Sequence, residues 1–301
     1  PINLIGYIES KAGTVRANHY HPIQEQKCLL IKGKYISVLK DLSETDSVIQ
    51  TNIINEGDLS IIHPNVAHAM IFIADSIFIN LVRGEREHEN YGITHTMPYE
   101  LVDEKLKKLF INHYKLDCRV CHKESLRHIV SLGMSPLANN LPKRKNIKED
   151  LYPLELNYCP NCHNCQLSFV VPPEKMFDHY LYVSSTNKTF RKHFNNMANQ
   201  LIEEFSLNNN AFVVDIGSND GVFLSPLKEK DIQVLGVDPA KNICEIAKNR
   251  GIETLHAYFN KDLAKKIYNR KGKADLITAF NVFAHADNIK EYEKEVKEIL
   301  N

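Results

Sequence analysis

Two Cys-x-x-Cys pairs, Cys118-Arg119-Val120-Cys121 and Cys159-Pro160-Asn161-Cys162, constrain this 301-residue chain more than any other feature. Each pair can fold as a knuckle that offers two thiolates, and two knuckles close a tetrahedral zinc site. Five of the seven cysteines crowd into these clusters, and in a reducing compartment such clustering favours metal ligation over disulfides. A redox pair would open a helix after a strand, a setting that neither pair has. Four thiolates leave no open coordination position, so the ion is expected to be structural. His163 and Cys165, in the run CPNCHNC, are spare candidates. Cys28 and Cys244 stand alone in apolar or helical surroundings and read as buried thiols.

Around these pairs the chain divides into four. Residues 1–100 hold short β-branched runs, among them KCLLIKGKYISVL, VIQTNII and AMIFIADSIFINLV, broken by turns at Lys32-Gly33 and Glu56-Gly57-Asp58. Many short, evenly spaced strands predict an all-β sandwich or small barrel. Residues 101–116 read as a helical linker, with Leu101, Leu106, Leu109 and Phe110 on one side. Residues 117–175 loosen into irregular, Pro- and Cys-containing chain around the metal site. From 176 to 301 helices and strands alternate, which predicts a parallel sheet with crossover helices in a Rossmann-like α/β domain. The expected fold class is multidomain: an all-β domain, a small irregular zinc segment, and an α/β sheet.

Formal net charge is zero, so no global field draws the chain toward nucleic acid or anionic membrane. The one basic run, Leu141 to Lys148, reads as a solvated loop. No apolar run approaches the ~20 residues of a membrane span, and the first residues lack the layout of a signal peptide. The cytoplasm is the expected compartment.

The run VVDIGSNDG sets an apolar strand directly before Asp215, Gly217 and Gly221. A tight glycine turn lets backbone approach a ligand, and the following helix N-terminus favours partial negative charge. The D-x-G-x-x-x-G spacing differs from the dinucleotide fingerprint and suits a ligand without a pyrophosphate. The next strand ends in Asp238, whose carboxylate can accept hydrogen bonds from both ribose hydroxyls.

VVDIGSNDGVFL, LGVDPA and NVFAHADN resemble the S-adenosylmethionine-binding segments of bacterial sugar-nucleotide C-methyltransferases. The cysteine pairs, PLANN and SSTNKTFRKHF resemble the zinc-binding part of the same family, so the likeness runs from residue 118 to 301. It implies S-adenosylmethionine and Zn2+ as cofactors and a nucleotide-linked keto-deoxysugar as substrate, methylated at carbon beside the ketone. It also implies that Gly217, Asn219, Asp220 and Asp238 hold the cofactor, with Asp215 and Gly221 in the same turn. By the same likeness Phe259 and Asn260 border the adenine, Asn281 and His285 line the site, and Tyr180, Tyr182 and Ser184 form a lid facing cofactor and sugar. The family has an apolar residue at the Cys165 position, so Cys165 reads as packing. Methylation beside a ketone needs a base and an enolate stabiliser. In the family a Tyr, Glu and His cluster supplies them from a segment that would lie beyond Asn301. The chain is therefore expected to be cut short, its last strand left as an edge.

In the first segment His19, His21 and Glu25 follow H-x-H-x-x-x-E, and His68 ends a G…P…H pattern. On a strand His19 and His21 share a face, and Glu25 and His68 could join them from neighbouring strands. This pattern resembles a cupin, and RANHYH especially resembles cupins acting on nucleotide-linked ketosugars as isomerases or epimerases. The resemblance implies either a three-His, one-carboxylate divalent metal site or a metal-free site with a histidine base, and a homodimer formed by strand exchange. His68 is preferred to His63, and His88, His95 and His113 are not expected to be ligands. The leading expectation is a sugar C-methyltransferase with an accessory epimerase-type cupin. The alternatives are a cupin that alone is active beside a remnant methyltransferase, and a non-enzymatic zinc-containing binding module.

Overall fold

The computed structural model describes residues 2–84, 96–138, 140–142, 144 and 149–300. His88, His95 and residues 143 and 145–148 of the basic run lie outside them. The chain forms two compact units: Pro1–Leu116 with Glu124–Pro136 and Lys148–Phe169, and Asp117–Lys123 with Leu137–Ile147 and Val170–Asn301.

The first unit begins with β1 (Leu4–Ser10), β2 (Val15–Tyr20), β3 (Glu25–Lys32), β4 (Lys34–Asp41), β5 (Gln50–Asn55), β6 (Leu59–Ile62), β7 (Val66–Phe72), β8 (Ser76–Arg83) and β9 (Met97–Pro98). They make two antiparallel sheets, ordered β1-β8-β3-β6 and β5-β4-β7-β2-β9, the all-β sandwich or small barrel that the strand spacing predicts. Period-two alternation points Cys28 and Leu30 of β3 into a core with Tyr35, Ile62, Phe72 and Phe78. Lys32 and Lys34 can reverse direction only because Gly33 takes φ +99° and has no side chain. A Cβ there would lie 2.3 Å from Ser76 Oγ.

Helix α1 (Glu104–His113) is shorter than the hydrophobic spacing suggested. Asn18 Oδ1 accepts hydrogen bonds from both Leu101 N and Val102 N, each 3.0 Å, which holds this stretch out of the helix. Asp103 then caps it, Oδ1 accepting from Leu106 N at 2.7 Å.

The expectation of an irregular zinc segment is corrected. β10 (Arg127–Ser135), β11 (Tyr152–Tyr158) and β12 (Cys165–Leu167) form an antiparallel sheet in that order. Its strands escape the usual pattern because β10 is bulged twice and mostly exposed, while β11 buries Glu155 and Asn157 and leaves Leu154 and Leu156 half-buried. Cys165 is exposed, not packed, because β12 turns Gln166 inward instead. Glu155 tolerates burial by accepting hydrogen bonds from Lys34 Nζ at 3.1 Å, Ser168 Oγ at 2.9 Å and the Tyr114 hydroxyl. Burial pushes its pKa up, but Tyr114, Lys34 and Ser168 outweigh it and hold the carboxyl below its ordinary range.

In the second unit α2 (Pro173–Phe177) and α3 (Lys188–Glu204) precede β13 (Phe212–Ile216), α4 (Leu224–Lys228), β14 (Gln233–Asp238), α5 (Lys241–Asn249), β15 (Thr254–His256), α6 (Lys261–Lys271), β16 (Leu276–Thr278) and α7 (Ile289–Ile299). The parallel sheet runs β15-β14-β13-β16, so the strand order reverses at β13. Ligands of open α/β sheets bind in the crevice at the carboxyl ends beside such a switch. Every residue of β13 is buried, because helices cover both faces. Val213 joins Phe194, Phe223 and Leu227 on one side; Val214 and Ile216 join Ile267 and Tyr292 on the other.

Glu155→Ala leaves the Lys34 ammonium without its buried carboxylate and is expected to cost about 3 kcal/mol of unfolding free energy, read from urea midpoints at pH 7. Because the folded carboxyl has a depressed pKa, this advantage exists above the unfolded pKa. The difference between wild type and variant should shrink as pH falls through the folded value.

Candidate functional site

The crevice is built on the turn after β13. Gly217 takes φ +68°, and a Cβ there would sit 2.3 Å from Val282 Cγ2, so no other residue fits. The amides of Gly217 and Ser218 donate to Val237 O at 2.7 and 3.1 Å, which ties the turn to β14. Asn219, at φ +48°, directs its backbone N–H to Asp238 Oδ2 at 3.0 Å. Ala240 N donates to the other oxygen at 2.9 Å. Asp238 is thus fixed at the strand end, its remaining lone pairs able to accept from a ligand. Burial raises its pKa, opposed by the two amides and the His256 ring.

The same asparagine reaches the proposed lid. Asn219 Oδ1 accepts from Ser184 N at 2.9 Å, and its Nδ2 donates to Tyr182 O at 3.1 Å. Asn242 Nδ2 donates to Tyr180 O at 2.7 Å. Arg191 Nη1 donates to Ser185 O at 2.8 Å, and Arg250 holds the Ser185 hydroxyl. Tyr180 packs against Tyr182 and Phe177, with ring centroids 6.5 and 6.0 Å apart, and Phe177 meets His285 edge-on at 5.4 Å. The structure therefore gathers Tyr180, Tyr182, Ser184, Gly217, Asn219, Asp238 and His285.

The other expected site residues are held by contacts of their own. Asp215 is buried and accepts from Thr278 Oγ1 at 2.7 Å, joining β13 to β16. Asp220 is fully buried and lies 2.6 Å from Arg250 Nη1, an ion pair without hydrogen-bond alignment. Gly221 closes the turn, its amide donating to Ser218 O at 3.0 Å. Asn260 Oδ1 caps α6 through Leu263 N at 3.0 Å, and Phe259 packs on Tyr292 at 5.7 Å. Both follow β15, whose His256 is registered with Asp238. Asn281 takes φ +56°, directly before the Val282 that abuts Gly217.

Each cysteine pair is presented by its own knuckle, with Cys118 and Cys159 buried and Cys121 and Cys162 partly exposed. The knuckles repeat one design. His122 N donates to Cys118 O and His163 N to Cys159 O, at 2.7 and 2.9 Å, with His122 at φ +57° and His163 at φ +60°. Two such knuckles make a group of four donors suited to a tetrahedral zinc with Zn–S bonds of about 2.3 Å. Cys165 is not in the group, and His163 Nδ1 instead meets the Tyr158 hydroxyl at 2.5 Å.

In the barrel His19, His21 and His68 converge, their ring nitrogens within 4.8 Å. His19 and His68 are registered across β2 and β7, and the bulge at Ala17-Asn18, φ +69° and +57°, re-aims His19. Glu25 does not join them. Its carboxylate faces His63 Nδ1 at 3.3 Å and Lys27 at 3.6 Å, while Gln26 Nε2 lies 2.6 Å from His21 Nε2. Burial, then the neighbouring His21, lowers His19 to about 4; burial, then His19 and His21, lowers His68 to about 3. Neutral imidazoles can ligate a cation, but these three bring no carboxylate.

A family model described as a putative zinc binding domain matches residues 118–177, and one described as a methyltransferase domain matches residues 190–301. Residues 190–301 are thus similar to a methyltransferase domain. Such domains use S-adenosylmethionine, and both cysteine pairs lie within the residues that the zinc-binding model matches. The C-methyltransferase NovU of Streptomyces niveus is 34% identical over 186 residues, 61% of this chain but only 44% of the relative's length. Solved structures similar to part of the chain include dTDP-4-dehydrorhamnose 3,5-epimerase from Sulfolobus tokodaii, 22% identical over 32% of this chain and 57% of that one, TM-score 0.28. Another is capsular polysaccharide assembling protein CapF from Staphylococcus aureus, 17% identical over 32% of this chain and 26% of that one, also TM-score 0.28.

Sequence reading missed Asn242, Arg250 and Gln26. The signal for Gln26 was available: Cys28 and Leu30 set the inward parity of β3, and Gln26 shares it where Glu25 does not. Nothing local marks Asn242 or Arg250, whose partners lie about 60 residues upstream.

In the second unit the Asp215 carboxyl is pushed up to about 7 by burial, with Thr278 opposing and the Asp238 charge adding. A raised carboxyl pKa gives stability that is complete below the unfolded value, near 4, and lost as pH rises through about 7. Wild type should therefore lose up to roughly 4 kcal/mol between pH 4 and 8 through this group, and Asp215→Asn should flatten that slope in urea midpoints.

Proposed function

We propose that this chain is a cytoplasmic, S-adenosylmethionine-dependent C-methyltransferase-like protein acting on a nucleotide-linked keto-deoxysugar in surface polysaccharide or glycan biosynthesis. Its barrel is an accessory cupin of the ketosugar epimerase or isomerase type. The observation that carries the reading is the fixing of Asp238 by the Asn219 and Ala240 amides at the strand-order switch, beneath a tyrosine-bearing lid. Asp238 holds the cofactor's ribose, the Gly217 turn admits its amino-acid portion, and Tyr180, Tyr182 and His285 face the sugar. The bound cofactor supplies an electrophilic methyl group. Burial and the Arg119 charge depress the His285 pKa, and the resulting neutral imidazole can accept a proton.

The likeness to a C-methyltransferase over the zinc and methyltransferase segments supports this reading, as do the neutral charge and the order of the motifs. The three clustered histidines favour a second reading, in which the barrel also removes or returns the proton beside the ketone. Among the described residues no helix is long and apolar enough to cross a membrane.

The barrel also offers a surface for a homodimer. Across one sheet face Ile5, Leu81, Lys27 and Ile61 are in register, beside Tyr7, Ile79, Leu29 and Leu59. Ile5 is 70% and Tyr7 66% exposed. Monomeric proteins rarely leave so continuous an apolar face uncovered.

Calorimetric titration with S-adenosylhomocysteine should give micromolar binding to wild type and a loss of at least about tenfold in Asp238→Ala, since a charged hydrogen-bond acceptor is removed. Absence of binding by folded wild type would move the function to the barrel. Sedimentation should give twice the chain mass for wild type and the single mass for Tyr7→Lys.

A further inference from the structure

We propose that Arg119, inside the first zinc knuckle, is a positioning residue for the loop that carries His285. Arg119 follows Cys118 in sequence within the knuckle, and its half-buried guanidinium reaches the segment joining β16 to α7. Nη2 donates to Ala286 O and to Ala284 O at 3.5 Å, and Nε donates to Asp287 O at 3.4 Å. These carbonyls lie within and just after the short 3-10 turn Phe283–His285, where main-chain acceptors leaving a turn need outside donors. A planar guanidinium can serve several carbonyls at once, which a lysine ammonium cannot do in the same geometry.

The segment so held bears on the cofactor turn at its other end. Val282 stands where a Cβ on Gly217 would be, and His285 closes against Phe177, the aromatic partner of Tyr180. An ion held by Cys118 and Cys121 ties both thiolates to one centre and so fixes the backbone between them, whereas without it the two cysteines take up protons as separate thiols. Zinc bound by the knuckle thus sets where Arg119 stands, and Arg119 sets where residues 281–287 stand. The zinc that cannot touch substrate would still govern the shape of the site. The link from this segment to cofactor affinity rests on the function proposed above; the ordering of the segment does not.

The test uses the full zinc-loaded chain and follows hydrogen–deuterium exchange in peptides covering residues 281–287, with the β14 strand as internal reference. Arg119→Gln is expected to speed exchange in that segment about tenfold, the loss of a hydrogen-bonded anchor. Zinc content and β14 exchange should stay unchanged. Arg119→Lys should restore part of the protection. Removing zinc from wild type should give the same acceleration, and removing it from Arg119→Gln should add none in this segment. S-adenosylhomocysteine affinity should fall about fivefold in Arg119→Gln, since a loosened loop must be ordered on binding. Equal exchange of residues 281–287 in wild type and Arg119→Gln, zinc present in both, would overturn the proposal. Failure of wild type itself to bind S-adenosylhomocysteine would count against the proposed function, while the exchange result would still decide the role of Arg119.

Discussion

The close approach of the Gly217 α-carbon to Val282 is the constraint on which the cofactor side depends. Because no Cβ intervenes, the chain leaving β13 can turn at once and stay near the sheet, and its next amides reach the carbonyl of Val237. Only then does the Asn219 amide arrive at Asp238. One missing side chain thereby converts two strand ends into a cradle whose carboxylate is held on both oxygens. Asp215, buried behind the turn, ties β13 to the edge strand through Thr278, which supports the cradle from beneath at the cost of a pH-sensitive carboxyl.

The metal-binding segment follows different physics. Its two knuckles use the same carbonyl-to-amide closure and the same left-handed histidine after the second cysteine, so the geometry is set by short local turns. Its small sheet depends on a long-range polar cluster in which Lys34, Tyr114 and Ser168 satisfy a carboxylate with almost no solvent contact. Buried charge is tolerated when every oxygen is met, and here the partners come from β4, the end of α1 and the stretch after β12. Such an arrangement fixes one docking geometry more sharply than apolar packing alone, because displacement strands a charge.

Legibility from sequence tracked the range of the forces involved. The knuckles, the alternation of β13 to β16 and the placement of Asp238 at a strand end are encoded within a few residues, and the structure has them where the motifs said. The three-stranded zinc sheet was invisible because β11 turns Glu155 and Asn157 inward, inverting the apolar period on which strand recognition relies. The start of α1 was misjudged because Asn18, more than eighty positions upstream, holds the amides of Leu101 and Val102. In the barrel the histidines converge as their spacing implied, but Glu25 lies on the outward parity of β3 and Gln26 takes the inward one. A motif that counts residues cannot see which side of the pleat a strand presents.

Asn219 has a thermodynamic consequence of its own. Its backbone secures the Asp238 carboxylate, while the two ends of its side chain hold Tyr182 and Ser184. The state of the cradle and the state of the lid are therefore a single variable, and reciprocity follows. Whatever factor the seated lid adds to cofactor affinity, bound cofactor adds to the population of the seated lid. A sugar that settles on Tyr180 and Tyr182 would meet a surface already organised by the earlier ligand. Ordered binding, cofactor first, would then follow from Asn219, with Asn242 at Tyr180, and not from any chemical step.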